Sequence, residues 1–403
     1  MERYAGLDLA SEEHRLSLVD EGGRRLEEGR VSHDEAGIEA LCTRLVAAGI
    51  ERVALERPDG IVVERLLEAE MTVVAVHPNQ LAAARERYRS AGGKSDGFDA
   101  YVRAELARTD MHRLRALVPD TDETKALRAL TRTREDLVGA RVALANQLRA
   151  QPEGFWPGAA LVFSDVDSPI ALAFLERYPS PADARGLGEK RLAGFLARQA
   201  YCGRRSASEL LVRLRQAPEG RAGELELEAR RANVVALVCA LKPLVEQIRL
   251  LTSQIAAAVR AHRDGHIFLS LFRDPKSVVT AARLVAEIGD CRARYPSSEA
   301  LAADAGMSPV ALESGKRKVA CFRYACDKRL RDAVSTLADA TRHHHPWAKD
   351  VYQRAIERGL DHPHAIRVLG RAWLRLIWRM WQDSVPYDHT RHGGLQRLLA
   401  DRG

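Results

Sequence analysis

Aromatic residues are scarce in this sequence, 5% of its 403 residues. No apolar run approaches the roughly 20 residues of a membrane-spanning helix, so no membrane role is expected. The six cysteines, at positions 42, 202, 239, 291, 321 and 326, include no C-x-x-C pair. Without that spacing neither a zinc ribbon nor a thioredoxin-like redox site is predicted. A secretory leader, basic and then apolar, is also missing from the N-terminus. Free thiols in a cytoplasmic protein follow as the expectation. There are no internal repeats. Lysine is rare as well: nine of the 62 basic residues, the other 53 being arginine.

What is present is a globular, mildly basic composition. Hydrophobic residues at 46% and charged residues at 29% are ordinary for a folded chain, and the length calls for two or three domains. A formal net charge of +7 permits a polyanionic partner without identifying one. Guanidinium forks match phosphate oxygens and the guanine edge better than ammonium groups do. Codon usage in a GC-rich genome would produce the same arginine excess.

The first hundred residues alternate strand and helix signals. Residues 4–10, 14–20 and 25–32 read as strands joined by short turns, and Asp34 is placed to cap a helix bearing Ile38, Leu41, Leu45 and Val46 on one face. Residues 52–56 and 72–76 read as short buried strands, with helical spacing over 62–69 between them. Three hairpin-like strands followed by alternating helices and strands is the order of an α/β, RNase H-like (RuvC-like) domain.

Beyond residue 120 the pattern becomes that of long helices. Leu130, Leu137 and Leu144 repeat at seven, with Leu127 and Leu148 on the adjoining seam, interrupted by Arg134 and Arg141. Val234, Val238, Leu241, Val245, Ile248, Thr252, Ile255 and Val259 alternate steps of four and three, the seam of a coiled coil or a long helical hairpin. Pro243 falls inside this run and predicts a kink or a restart. The expected organisation is an RNase H-like domain over 1–120 and a coiled-coil domain over 121–263. The latter carries a loop-linked insert at about 152–223, and a mostly α-helical C-terminal domain spans 264–403.

Four carboxylates stand out in the N-terminal part. Asp8 sits mid-strand among apolar neighbours, where a charge is costly unless it is paired or bound to a cation. Period-two alternation puts it on the face opposite Leu7 and Leu9. Glu56 ends the strand over 52–56. Asp96 and Asp99, three apart at the start of a helix, share one of its faces. Taken singly, Asp96 serves equally as a helix N-cap, Asp99 as first-turn compensation of the helix dipole, and Glu56 as a surface acid. Taken together at these positions, converging hard oxygens suit Mg2+, and a two-metal site suits phosphodiester chemistry.

These residues also carry a resemblance. The runs G-L-D-L-A around Asp8 and K-S-D-G-F-D-A around Asp96 and Asp99, with the strand ending in Glu56, resemble the DEDD-type, RuvC-like transposases of the insertion sequence 110 family. The likeness extends through the helix over 127–148 and residues 264–387, but not the segment 151–223. It implies a recombinase that cleaves and exchanges donor and target DNA, a structured guide (bridge) RNA that pairs with both, and assembly as dimers or tetramers.

That family has a Gly, a Pro and then a Ser-Gly pair before a basic segment, here Gly306, Pro309 and Ser314-Gly315. The resemblance implies Ser314 as the nucleophile that holds DNA as a phosphoserine, with the nearby Ser308 as the competing candidate. No adjacent His would activate it, so a metal centre would have to. Read without the family, Ser314 is a loop or helix-cap serine. Lys316, Arg317, Lys318, Arg323, Lys328, Arg329 and Arg331 form the basic cluster expected to meet nucleic-acid phosphates, or a solvated helix face. One departure stands in this part. The family's Gly-rich P-G-x-G turn is replaced here by Phe272-Arg273-Asp274-Pro275-Lys276-Ser277, which leaves Arg273 or Lys276 to supply a phosphate contact by side chain.

Three features are read as structural. Three successive histidines, His343 to His345, suit a polar helix end better than a metal site. Cys321 and Cys326 lack a ligand pattern, and Trp373, Trp378 and Trp381 fit a buried helix face. Two rival readings remain open: a structure-selective endonuclease that uses water as nucleophile, and a non-catalytic nucleic-acid-binding scaffold.

Overall fold

A computed structural model describes residues 2–88, 95–218, 220, 222–274, 277–314 and 317–401. The chain forms two compact units, residues 1–119 and 120–403.

The first unit is built on a five-stranded sheet. Its strands are β1 (Arg3–Asp8), β2 (Glu13–Asp20), β3 (Arg25–Ser32), β4 (Ile50–Leu55) and β5 (Val73–Ala75), in the order β3-β2-β1-β4-β5. β1 to β3 pair antiparallel, whereas β4 and β5 run parallel to β1. The helices are α1 (Glu35–Ala47), α2 (Ile61–Glu68), α3 (Pro78–Tyr88) and α4 (Asp96–Thr109). Ala5, Leu7, Leu16 and Leu18 pack on α1 and α2, while Tyr4, Val19, Ala54 and Val74 pack on α3 and α4. This is the RNase H-like order read from the alternation. The face of β1 that carries Asp8 is the one covered by α4.

Gly6 makes that cover close. A Cβ at this position would stand 2.0 Å from the carbonyl of Ala100 and 2.4 Å from the amide of Ala104. Only glycine lets the backbone of α4 lie directly on β1.

The second unit is mostly helical. Its long elements are α5 (Asp122–Glu153) and α10 (Glu224–Ala261); between them lie the short helices α6 (Pro157–Val162), α7 (Pro169–Arg177), α8 (Glu189–Arg198) and α9 (Ala207–Gln216). α5 and α10 pair antiparallel: Leu127 shares a core with Ile255 and Val259, and Leu148 shares another with Val234 and Val238. The predicted α10 seam is the buried one, and Arg134, which interrupts the α5 seam, donates from Nε to Thr252 Oγ1 at 2.7 Å. α10 runs through Pro243 as a single helix, without a restart there. The proline is on the exposed side, as is Cys239, whose carbonyl loses its helical donor there, so water can satisfy it.

The remaining elements are α11 (Gly265–Leu269), α12 (Val278–Ile288), α13 (Ser298–Asp304), β6 (Val310–Ser314), β7 (Arg317–Cys321), α14 (Lys328–His344), α15 (Pro346–Glu357), α16 (His362–Asp383) and α17 (Gly393–Ala400). Trp373 and Trp381 are fully buried on α16, and Trp378 Nε1 donates to the Tyr295 carbonyl at 2.8 Å. His343 and His344 end α14 exposed, as a polar helix end, and His345 follows as its C-cap but turns inward. It caps α15 and lies among Trp347, Trp373, Tyr387 and His392.

Candidate active site

Asp8 is the last residue of β1 and Glu56 the first after β4, so adjacent parallel strands deliver both acids to the same sheet edge. Asp96 opens α4, and Asp99 follows one turn later on the same face. Asp96 is not the N-cap, because Ser95 holds that role and accepts from the Phe98 amide at 3.3 Å.

Two arginines bind this group together. Arg103, one turn beyond Asp99 on α4 and 1% exposed, donates from Nη1 to Asp8 Oδ1 at 2.6 Å and from Nη2 to Glu56 Oε2 at 2.9 Å. Its Nε is buried without a partner among the described residues. Arg85 on α3 grips buried Asp99 in a fork, Nε to Oδ1 and Nη2 to Oδ2, both at 2.5 Å. Neither arginine stood out in the sequence. The available signal was spacing: position 103 shares a helical face with Asp96 and Asp99, and an arginine there faces acids.

Burial pushes the Asp8 carboxyl above its usual range, Arg103 opposes that, and the charges of Asp99 and Asp96 add to it. Asp8 therefore feels both acids of α4 as well as pairing through Arg103 with Glu56. Among the described residues, no three Asp, Glu, His or Cys side chains are arranged to hold a metal ion as they stand. The donor set still fits a hard divalent cation. All four groups are carboxylates, and a guanidinium already sits as a positive stand-in between Asp8 and Glu56.

The C-terminal candidates lie in the second unit. Ser314 is exposed at the end of β6, and its register partner is Arg317 at the start of β7, so it stands at the tip of a hairpin. The candidate Lys316 lies outside the described residues, as do the side chains of Arg317 and Lys318. Ser308 lies lower, before β6; it is 9% exposed and its Oγ is shut from solvent with no partner among the described residues. Exposure favours Ser314 over Ser308 as the residue able to reach DNA.

The other basic candidates divide. Arg323 donates from Nε to the Ser308 carbonyl at 3.1 Å, and Lys328 opens α14. Arg329 is engaged with Glu135 at 3.1 Å and Asp136 at 2.8 Å. Arg331 binds the Arg323 carbonyl and lies 4.6 Å over the Phe322 ring. In the segment that replaces the Gly-rich turn, Arg273 is exposed and Lys276 lies outside the described residues.

Residues 5–157 match the model of the DEDD transposases of the IS110 type, and residues 277–353 match that of the transposase IS116/IS110/IS902 family. The mini-circle putative transposase for IS117 of Streptomyces coelicolor is 30% identical over 400 residues, 96% of each chain. The chain belongs to the IS110 family of transposases. Similarity also extends to the insertion element IS900 uncharacterized 42 kDa protein of Mycobacterium paratuberculosis, 28% identical over 95% of this chain and 96% of that one. The solved structure of T. thermophilus RuvC in complex with Holliday junction substrate aligns with 29% of this chain and 100% of its own, at 20% identity and a TM-score of 0.23. As an IS110 family member the chain is a DNA transposase. Among the described residues, no helix is long and apolar enough to cross a membrane.

Proposed function

We propose that this transposase cuts and rejoins DNA through a serine ester, with Ser314 as nucleophile and Asp8, Glu56, Asp96 and Asp99 as the holders of Mg2+. One observation carries the metal half: three of these acids are clasped by two arginines at one sheet edge, and the fourth shares a helix face with Asp99. A guanidinium between Asp8 and Glu56 marks a place built for positive charge, which a divalent cation would take over when Arg103 yields. When bound, the metal would supply charge neutralisation and lower the cost of deprotonating an attacking hydroxyl.

The exchange step balances without a redox partner. Ser314 Oγ gives up its proton and bonds to the scissile phosphorus. The bond from phosphorus to one deoxyribose oxygen breaks, and that oxygen leaves as a hydroxyl after taking up a proton. The phosphodiester is conserved as the serine ester, and a hydroxyl from the other strand then reverses the step and frees Ser314. Exposure of Ser314 at a hairpin tip supports this role. We further read the partners as donor and target DNA, a guide RNA of the bridge type, and a second copy or more of the chain.

The test is a denaturing gel of radiolabelled DNA with the purified protein in Mg2+. A covalent protein–DNA band that is lost in Ser314→Ala and in Asp8→Ala is the expected result. Cleavage that persists in Ser314→Ala without such a band would replace this reading with a water-using endonuclease. Sequencing RNA that copurifies with the protein tests the guide, and recovery of no discrete RNA would remove it.

A further inference from the structure

A basic cleft opens beside the β6–β7 hairpin, against α15 and α16, and encloses about 490 Å3. Arg323, His364, Arg367, Arg371 and Arg375 line it together with Ser308, and no carboxylate does among the described residues. Glu299 pairs with Arg375 at 3.7 Å on the exposed side, and its charge also reaches Arg371. Four arginines set against one exposed acid leave an excess of positive charge that an entering anion relieves. Two further polar atoms are unsatisfied in the cleft wall: Ser308 Oγ and Arg371 Nε are both buried without a partner among the described residues.

Aromatic groups stand at the same place. Phe322 lines the cleft, with the guanidinium of Arg367 4.9 Å over its ring. Tyr324, 80% exposed, meets Phe322 edge-on at 4.8 Å. An exposed tyrosine gains little from water and packs against no core here. Phe322 is already stacked by Arg331 and Arg367, which leaves Tyr324 as the exposed ring. Arginines beside an exposed aromatic are the arrangement that holds single-stranded nucleic acid, by phosphate contact and base stacking together.

We propose that this cleft seats one unpaired DNA nucleotide, with its backbone phosphate on Arg367 and Arg371 and its base on Tyr324. The inference rests on the reading that the Ser314 hairpin acts on DNA, because strand exchange leaves unpaired nucleotides next to the exchanged phosphate. The hydroxyl of Ser308 then serves in binding rather than in attack.

Fluorescence anisotropy on the full-length chain tests this, with every protein carrying Ser314→Ala so that no strand is cut. The probes are labelled oligo(dT), a blunt DNA duplex and oligo(U). Tyr324→Ala is expected to weaken oligo(dT) binding about tenfold and leave the duplex unchanged. Arg367→Gln combined with Arg371→Gln is expected to lower the salt slope for oligo(dT) by about 0.7, the share of one phosphate, while Arg371→Lys keeps it. Unchanged oligo(dT) affinity in Tyr324→Ala would overturn the proposal, as would an equal loss on duplex. An effect confined to oligo(U) would assign the cleft to RNA and overturn it equally. Should the double variant fail to fold, the exposed Tyr324 still decides the matter. Failure of the nucleophile reading shows separately, as cleavage retained by Ser314→Ala, and leaves these binding results standing.

Discussion

Arg103 Nη1 lies 2.6 Å from Asp8 Oδ1, and the same guanidinium reaches Glu56 through its other terminal nitrogen. An internal cation thus bridges two acids at the ends of adjacent strands and offsets one of their two charges.

Arg103→Met removes that cation. The metal-free protein is expected to lose about 2–3 kcal/mol, since an acid half-shut from water keeps its charge without a partner. Adding Mg2+ should close part of the gap, because the ion supplies the missing positive charge. Urea melts with and without Mg2+ measure both effects, and a wild-type midpoint for the metal-free variant would refute the stabilising role of the clasp.

Arg85→Ala strands the buried Asp99 carboxylate, at a cost of about 3 kcal/mol. Asp99→Asn in the same protein removes the stranded charge and should return much of that loss. A double-mutant cycle gives the coupling, and additive effects would mean the fork contributes nothing of its own.

Gly6→Ala places a methyl group on the Ala100 carbonyl, and the backbone of α4 cannot yield cheaply. About 3 kcal/mol of destabilisation is expected from overpacking. Thermal melting checks it, and an unperturbed melting temperature would show that α4 has room to move.

His345 predicts a pH dependence with a definite sign. Burial, with the nearby His392, His344 and Arg273 charges, lowers it from 6.5 to about 4, so the fold holds it neutral. Its Nε2 lies 2.9 Å from the Tyr387 hydroxyl, which is 2.8 Å from His392 Nδ1. The unfolded chain binds a proton below 6.5 that the folded chain refuses until about 4. This contribution to stability is therefore complete above 6.5 and is lost as pH falls toward 4. Chemical denaturation across that window should show a shallower slope for His345→Gln than for the wild type, and parallel curves would rule the histidine out.

Much of the first unit was legible because strand alternation is a local signal. The three antiparallel strands, the helix capped by Asp34 and the side of β1 that bears Asp8 follow from period two and period 3.6. Glu56 fell one residue outside its strand, and Ser95 rather than Asp96 caps α4; both are differences at element ends, where propensities are weakest. Arg103 and Arg85 were not legible. Their roles depend on how closely α3 and α4 lie on the sheet, which Gly6 decides through tertiary packing. The β6–β7 hairpin was missed for a similar reason: a Ser-Gly-Lys run ahead of basic residues suggests a loop or a helix end, and only the register of Val310 on Cys321 makes it a strand pair. Pro243 does not restart α10, because the carbonyl it leaves without a donor lies on the water-facing side.

The antiparallel pairing of α5 and α10 has a mechanical meaning. With 32 residues, α5 spans roughly 48 Å. One hydrophobic cluster sits at each end of this span, and between them the Arg134–Thr252 contact replaces apolar packing. Sliding one helix past the other by a heptad would carry the Arg134 guanidinium from Thr252 onto Val245 or Val259 of the α10 seam. A polar contact set between two apolar clusters thus opposes slippage along the rod, which apolar packing alone would oppose less.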